Sequence, residues 1–245
     1  MGVSLALSQV RGAAGSVPPA PWSPVYASTA GGGYLILDAA ASGWPFADSD
    51  KFTAAMLLDD FSNLPSVAAW LWEINGRANA SVGSTWRPTV TFETSVNGTF
   101  LTNWSGSAGV DIRTGRTGQQ LVHVVADFGV SPSMIMTVGS TIAGTFTTGP
   151  ITGTIDLTRD DSATDYSVFA QPSGLNKLNC KCAYVYMESG VARPVSDFMD
   201  GAAFRDPATF GAPQVLFKGA GLTTGTNIGS AGGTWPVTGG TINLV

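Results

Sequence analysis

Residues 120–140 read QLVHVVADFGVSPSMIMTVGS, and their pattern decides the fold. Leu121 to Phe128 is apolar and rich in β-branched side chains, which fit a pleated sheet better than a helix. Gly129 to Ser133 supplies the Gly, Ser and Pro residues of a turn, and Met134 to Val138 is a second apolar run of strand length. Two such runs joined by a short turn form an antiparallel pair.

The same pattern extends in both directions. Tyr34 to Leu37 follows a Gly31–Gly33 turn, and Phe52, Ala54, Met56 and Leu58 alternate as on a strand. Val67 to Ile74 is bounded by Pro65 and Asn75-Gly76, and Trp86 to Thr94 precedes Asn97-Gly98, from which Phe100 to Trp104 returns. Asn-Gly suits a two-residue hairpin turn because both central positions need positive φ. Val110 to Arg113, Gly153 to Leu157 and Tyr166 to Ala170 read as further short strands. In Leu178 to Met187 a strict period of two puts Cys180, Cys182, Tyr184 and Tyr186 on one face. The same count puts Trp70 and Trp72 together on a core face. Ser196 to Phe204 is predicted as a short helix capped by Ser196 or Asp197, followed by a Gly/Thr-rich tail with a strand at Thr241 to Val245. Many short strands between turn residues define an all-β sandwich or barrel.

Composition narrows the function classes. Charged residues are 12% of the 245, about half the usual share, while hydrophobic residues are 44%. A polar but uncharged surface suits a subunit packed against copies of itself or neighbours, and equally a secreted domain. The net charge is −5 and the basic residues are scattered, which argues against nucleic-acid binding. No apolar run is long enough for a membrane-spanning helix. The segment MGVSLALSQVRGAAG has no basic start and only a short apolar run, so no secretory signal is expected. Cys180 and Cys182 are too close in sequence to bridge without strain, so both are expected as free core thiols in a reducing compartment.

Three regions follow. Residues 1–24 form an extended Pro-rich N-terminal arm, because Pro18, Pro19, Pro21 and Pro24 favour polyproline geometry over sheet pairing. Trp22 sits in that arm and is expected to dock, either on its own domain or on a partner. Residues 25–190 form the sandwich. Residues 191–245 are a C-terminal extension packing on the sandwich.

The order of these signals resembles the concanavalin A-like lectin/glucanase superfamily, including its laminin-G-like members. The likeness is carried by DSDKFTAAMLL (48–58), QQLVHVVADFG (119–129), SPSMIMTVGS (131–140) and NKLNCKCAYVYMESG (176–190), and it spans Tyr26 to Gly190. It implies an antiparallel two-sheet jelly-roll sandwich. The C-terminal stretch resembles the tail that follows such domains in tailed-bacteriophage virion proteins, through Phe204, Gly211, Pro213, Gly219 and Gly232 to Thr238. That resemblance implies a structural virion component: a capsid decoration, head-fibre or tail-associated protein assembled in the bacterial host cytoplasm. Other virion proteins would be met through the arm, with a homo-oligomer and a host surface glycan as further partners.

The residues offer little for catalysis. His123 is the single histidine and lies inside an apolar strand, where a structural role is expected. Glycosidases need two carboxylates flanking the bond, whereas Glu73, Glu93 and Glu188 are scattered in sequence. Asp156 with Asp160 or Asp161 is the remaining acidic cluster. Asp160, Asp161 and Asp165 in one loop could instead ligate Ca²⁺, or be a solvated turn. Trp44 and Trp104, near loops, are the candidate glycan or partner contacts. The expected function is a non-enzymatic virion component, with a glycan-binding lectin module or a glycoside hydrolase/depolymerase as the alternative.

Overall fold

The computed structural model describes residues 22–38, 45–65, 68–74, 78–82, 88–93, 100–104, 111–146, 153–157 and 165–245. Along the chain the strands are β1 (Ala27–Gly31), β2 (Tyr34–Asp38), β3 (Lys51–Asp59), β4 (Ala69–Ile74), β5 (Ala78–Val82), β6 (Pro88–Glu93) and β7 (Phe100–Trp104). There follow β8 (Gln120–Asp127), β9 (Met134–Val138), β10 (Thr141–Phe146), β11 (Asp165–Val168), β12 (Lys181–Ser189), β13 (Met199–Asp200) and β14 (Ala203–Phe204). Strands β15 (Val215–Lys218), β16 (Val237–Thr238) and β17 (Thr241–Leu244) complete them.

They form an all-β sandwich of two antiparallel sheets. The first sheet runs β10-β9-β8-β3-β12-β1-β17, with β15 also paired to β12. The second runs β16-β2-β11-β4-β5-β6-β7. The stretch that opened the sequence analysis is the β8–β9 pair, in register from Val122↔Val138 to Ala126↔Met134. The segment after residue 190 is woven into both sheets, because β15 and β17 join the first and β16 joins the second. The two Asn-Gly pairs lie outside the described residues, but the strands that flank them pair antiparallel.

The inter-sheet core is continuous. Phe52, Met56, Val124, Met136, Val185 and Phe217 of the first sheet face Leu35, Trp72, Ile74, Tyr166 and Val168 of the second. A second apolar cluster lies on the outer side of the first sheet. It joins Leu57, Leu121, Tyr184, Tyr186 and Phe198, with Trp22, Tyr26, Met199, Phe204 and Phe210 packed against it. The first sheet is therefore buried on both faces around β12, where every residue from Cys182 to Ser189 is buried.

Two β-bulges correct the sequence expectations. Register shifts between Cys182 and Tyr184, which pair with Leu58 and Leu57 in succession. Ala183 is the extra residue. Cys182 stays in the inter-sheet core, whereas Tyr184 and Tyr186 point to the outer face. Register also shifts between Trp70 and Trp72. Trp72 is 1% exposed in the core, while Trp70 is only partly buried. An extra residue flips every side chain beyond it, and a period-two count cannot see it.

Three local expectations also change. Residues 111–113 form a turn rather than a strand, because the Asp111 carboxylate accepts from the Arg113 amide at 2.8 Å and pairs with its guanidinium. Residues 153–157 make one isolated bridge, Ser49↔Ile155, with the Leu157 amide held by Asp48. The helix expected over 196–204 is instead a 3-10 turn, Val195–Asp197, and the β13–β14 hairpin, which turns at Gly201 with φ +60°. The short C-terminal helix is Ala220–Thr224.

The bulge in β4 predicts an asymmetry between neighbouring tryptophans. Trp72→Ala should cost about 3–5 kcal/mol, the range for truncating a buried aromatic, while Trp70→Ala costs far less. Urea unfolding of the two variants checks this, and equal losses would contradict the bulge.

Candidate functional site

The outer face of the first sheet is covered by the segment that leaves β12. Its anchor is Arg193. The guanidinium pairs through Nε and Nη2 with the two oxygens of Glu188, and Nη1 reaches Asp197 at 3.3 Å. The Tyr186 hydroxyl donates to Glu188 and accepts from Arg193 Nε at 2.7 Å. Burial alone would raise the Glu188 carboxyl, but the Arg193 and Tyr186 hydrogen bonds outweigh it and hold the group below its ordinary range. Gly211, at φ +69°, lies flat on this cluster, where an added Cβ would come 2.4 Å from Arg193 Nη2. No larger residue fits there without moving the guanidinium.

The backbone of the strap is tied as well. Thr53 Oγ1 donates to Val191 O and accepts from Arg193 N. His123 is 1% exposed and bridges the same segment to the sheet. Its Nε2 lies 3.0 Å from the Arg193 carbonyl, which can only accept, so Nε2 carries the proton and Nδ1 accepts from Thr137 Oγ1 at 3.1 Å. Phe198 packs 5.3 Å from the imidazole ring. His123 thus has the structural role its sequence context suggested, and burial lowers its pKa to about 4.

Beyond these anchors the strap carries the β13–β14 hairpin over an open groove. Met199, Gly201 and Phe204 form one wall, Gln120 and residues 115–117 a second, and the Val138–Thr141 turn a third. The groove encloses about 850 Å³, the size of a small-ligand site. Its polar groups are Arg116, Thr117, Gln119, Gln120, Ser140 and Thr141, and its apolar patches are Val138, Met199 and Phe204. The loop wall is rigid. Arg113 locks to Asp111 and to Leu64 O, the Arg116 amide bonds Arg113 O, and Phe61 N bonds Gly118 O. Gln120 is oriented by its bond to Thr117 O and lies against Gly139, whose absent Cβ leaves it room.

Strand register lines up further residues across the second sheet. Glu73 is in register with Ser167 on one side and Asn79 on the other, and Asn79 with Thr91. Burial pushes the Glu73 carboxyl up to about 7. Trp104 aligns with Thr89, Thr89 with Ser81, and Ser81 with Trp70.

Sequence reasoning found none of the groove, since its walls come from three separate segments, 115–120, 138–141 and 199–204. Of the sequence candidates, Trp44, Pro18, Pro19, Pro21, Asp160 and Asp161 lie outside the described residues. Trp22 docks on its own domain, 5.8 Å from the Tyr184 ring, with Lys218 Nζ above it and Asp206 beside that ammonium. Asp165 opens β11 opposite Asp38. Among the described residues no group of three His, Cys, Asp or Glu could hold a metal ion. Among the described residues no helix is long and apolar enough to cross a membrane.

The class this defines is the two-sheet antiparallel β-sandwich. A crystal structure of a candidate carbohydrate-binding protein from Bacteroides ovatus superimposes at TM-score 0.59 and 15% identity, over 92% of this chain and 61% of that one. Tailspike protein 2 of Escherichia coli O157:H7 bacteriophage CAB120 matches at TM-score 0.41 and 12% identity, over 67% of this chain and 22% of that one. The chain thus spans about three-fifths of the first of these structures and less of the second. No family model and no curated protein matches the sequence.

Two buried groups give opposite pH dependence. The folded His123 pKa lies below its ordinary 6.5, so the unfolded chain takes up that proton first and stability is lost as pH falls from about 6.5 to about 4. Thermal melts between pH 7 and pH 4 should show the loss, and His123→Gln should lessen the slope in that window. The folded Glu73 pKa lies above its ordinary 4.5, so its contribution is present below 4.5 and is lost as pH rises through about 7. Glu73→Gln should therefore be more stable than the wild type at pH 8, with the advantage shrinking towards pH 5. An advantage that grows on acidification would contradict the assignment.

Proposed function

We propose that this chain is a non-enzymatic β-sandwich component of a bacteriophage virion that binds host surface glycans through the groove under the β13–β14 hairpin. The observation that carries the glycan reading is the groove itself. Sugars present hydroxyls around their edges and C–H groups on their faces. The groove sets amide, hydroxyl and guanidinium groups beside Met199 and Phe204, which matches both surfaces. The fold shared with a candidate carbohydrate-binding protein supports the reading. So does the resemblance to the concanavalin A-like superfamily.

The place on a virion is supported by the C-terminal likeness to tailed-phage proteins and by the low charge. Of the residues that carry this likeness, Phe204 lines the groove and Gly211 seats Arg193. The arm before Trp22 would meet neighbouring virion proteins, as capsid decoration, head fibre or tail-associated part.

A non-catalytic role is supported by the carboxylates. Glu188 is committed to Arg193. Register sets Glu93 two strands and two residues from Glu73, so the two are not cross-strand neighbours.

Three measurements test the proposal. On an array of bacterial surface glycans the wild type should bind a subset, and Ser140→Trp, which fills the groove, should not. Incubation with the bound glycans should release no reducing ends. Mass spectrometry of purified particles should find the chain in fixed stoichiometry. Absence of glycan binding, or equal binding by Ser140→Trp, would remove the glycan reading; absence from particles would remove the virion one.

A further inference from the structure

Resting on the glycan reading of the groove, we infer that its ligand is an acidic saccharide, one bearing a carboxylate that pairs with Arg116. The chain carries a net charge of −5, yet among the described residues no carboxylate lines the groove. Arg116 does line it. Other arginines in this region have carboxylate partners: Arg113 has Asp111, Arg193 has Glu188 and Asp197, and Arg205 has an exposed contact with Asp200. Arg116 has no carboxylate partner among the described residues.

Its single described side-chain bond runs from Nη1 to Ile112 O at 2.8 Å. That bond fixes the half-buried guanidinium against its own loop while leaving Nε and Nη2 without a protein acceptor among the described residues. A planar fork with two donors free suits bidentate capture of a carboxylate. The surrounding groups complete the fit. The amides of Gln119 and Gln120 and the hydroxyls of Thr117, Ser140 and Thr141 can meet sugar hydroxyls, and Phe204 offers a face for the ring. In a negatively charged protein, a cation with no carboxylate partner or carboxylate lining beside it among the described residues selects for a negative ligand by removing repulsion as well as by adding attraction.

The probe is a short oligogalacturonate, compared with the same oligomer after its carboxylates are reduced to primary alcohols. Calorimetric titration of the full chain should show the acidic oligomer binding at least roughly tenfold tighter than the reduced one, with the difference shrinking as salt is raised. Arg116→Gln should bring the acidic oligomer to the affinity of the reduced form, with its thermal midpoint close to that of the wild type. Polyglutamate of similar charge should not compete. If the wild type binds both oligomers equally, or binds neither while still binding neutral glycans, the acidic specificity is overturned and the glycan reading stands. If no saccharide of any kind binds, both fall. A preference that survives Arg116→Gln, or that polyglutamate abolishes, also overturns the inference.

Discussion

The structure depends on burying β12 on both of its faces. A strand in a two-sheet sandwich ordinarily turns one face to the core and the other to water. Here the inner face packs Cys182, Val185 and Met187 into the inter-sheet core, and the outer face presents Tyr184, Tyr186 and Glu188. Two aromatic rings on an outer face favour being covered, and a carboxylate beside them is costly once covered unless it is paired. The Arg193–Glu188 pair supplies the cover, because the guanidinium both neutralises the carboxylate and pins the strap that brings Phe198 and Phe210 over the tyrosines. Removing Arg193 would leave the buried Glu188 carboxylate uncompensated. The pair is therefore best understood as fixing where the strap lies, with its net contribution to stability secondary.

From that constraint the groove follows. The strap crosses the sheet, is bonded at Thr53 and His123, and turns at Gly201, which sets the β13–β14 hairpin opposite the 115–120 loop and the β9–β10 turn. Met199 and Phe204 are shared between the outer cluster and the groove wall. The wall is thus as fixed as the cover of β12. A binding surface assembled from rigid, separately anchored segments loses little freedom when a ligand arrives.

How much of this is legible in the sequence depends on whether the governing contact is local. The β8–β9 pair was legible because β-branched runs and a Gly-Ser-Pro turn are local signals. His123 was legible as structural because an apolar strand leaves a lone imidazole nothing to do but satisfy its nitrogens. The faces of Trp70, Tyr184 and Tyr186 were not, because each depends on one extra residue, Leu71 or Ala183, whose side chain carries no mark of a bulge. Residues 111–113 went astray for a different reason. Asp111 can close a turn on the Arg113 amide, and that alternative to strand pairing outweighs the apolar character of Val110 and Ile112. The groove was the least legible feature, since none of its segments is unusual alone.

The placement of the groove bears on what kind of site this chain has. Sheet faces offer long, regular rows of side chains, and the second sheet has such a row through Ser167, Glu73 and Asn79. Burial pushes the Glu73 carboxyl in that row up to about 7. The groove is the reverse: its cation and the Gln120 amide are oriented, and carboxylates are absent from its lining among the described residues. Recognition of an anion needs oriented donors and no competing acceptor charge, whereas glycoside cleavage needs two carboxyls across one bond. The groove therefore has the oriented cation of the first arrangement and, among the described residues, lacks the paired carboxyls of the second.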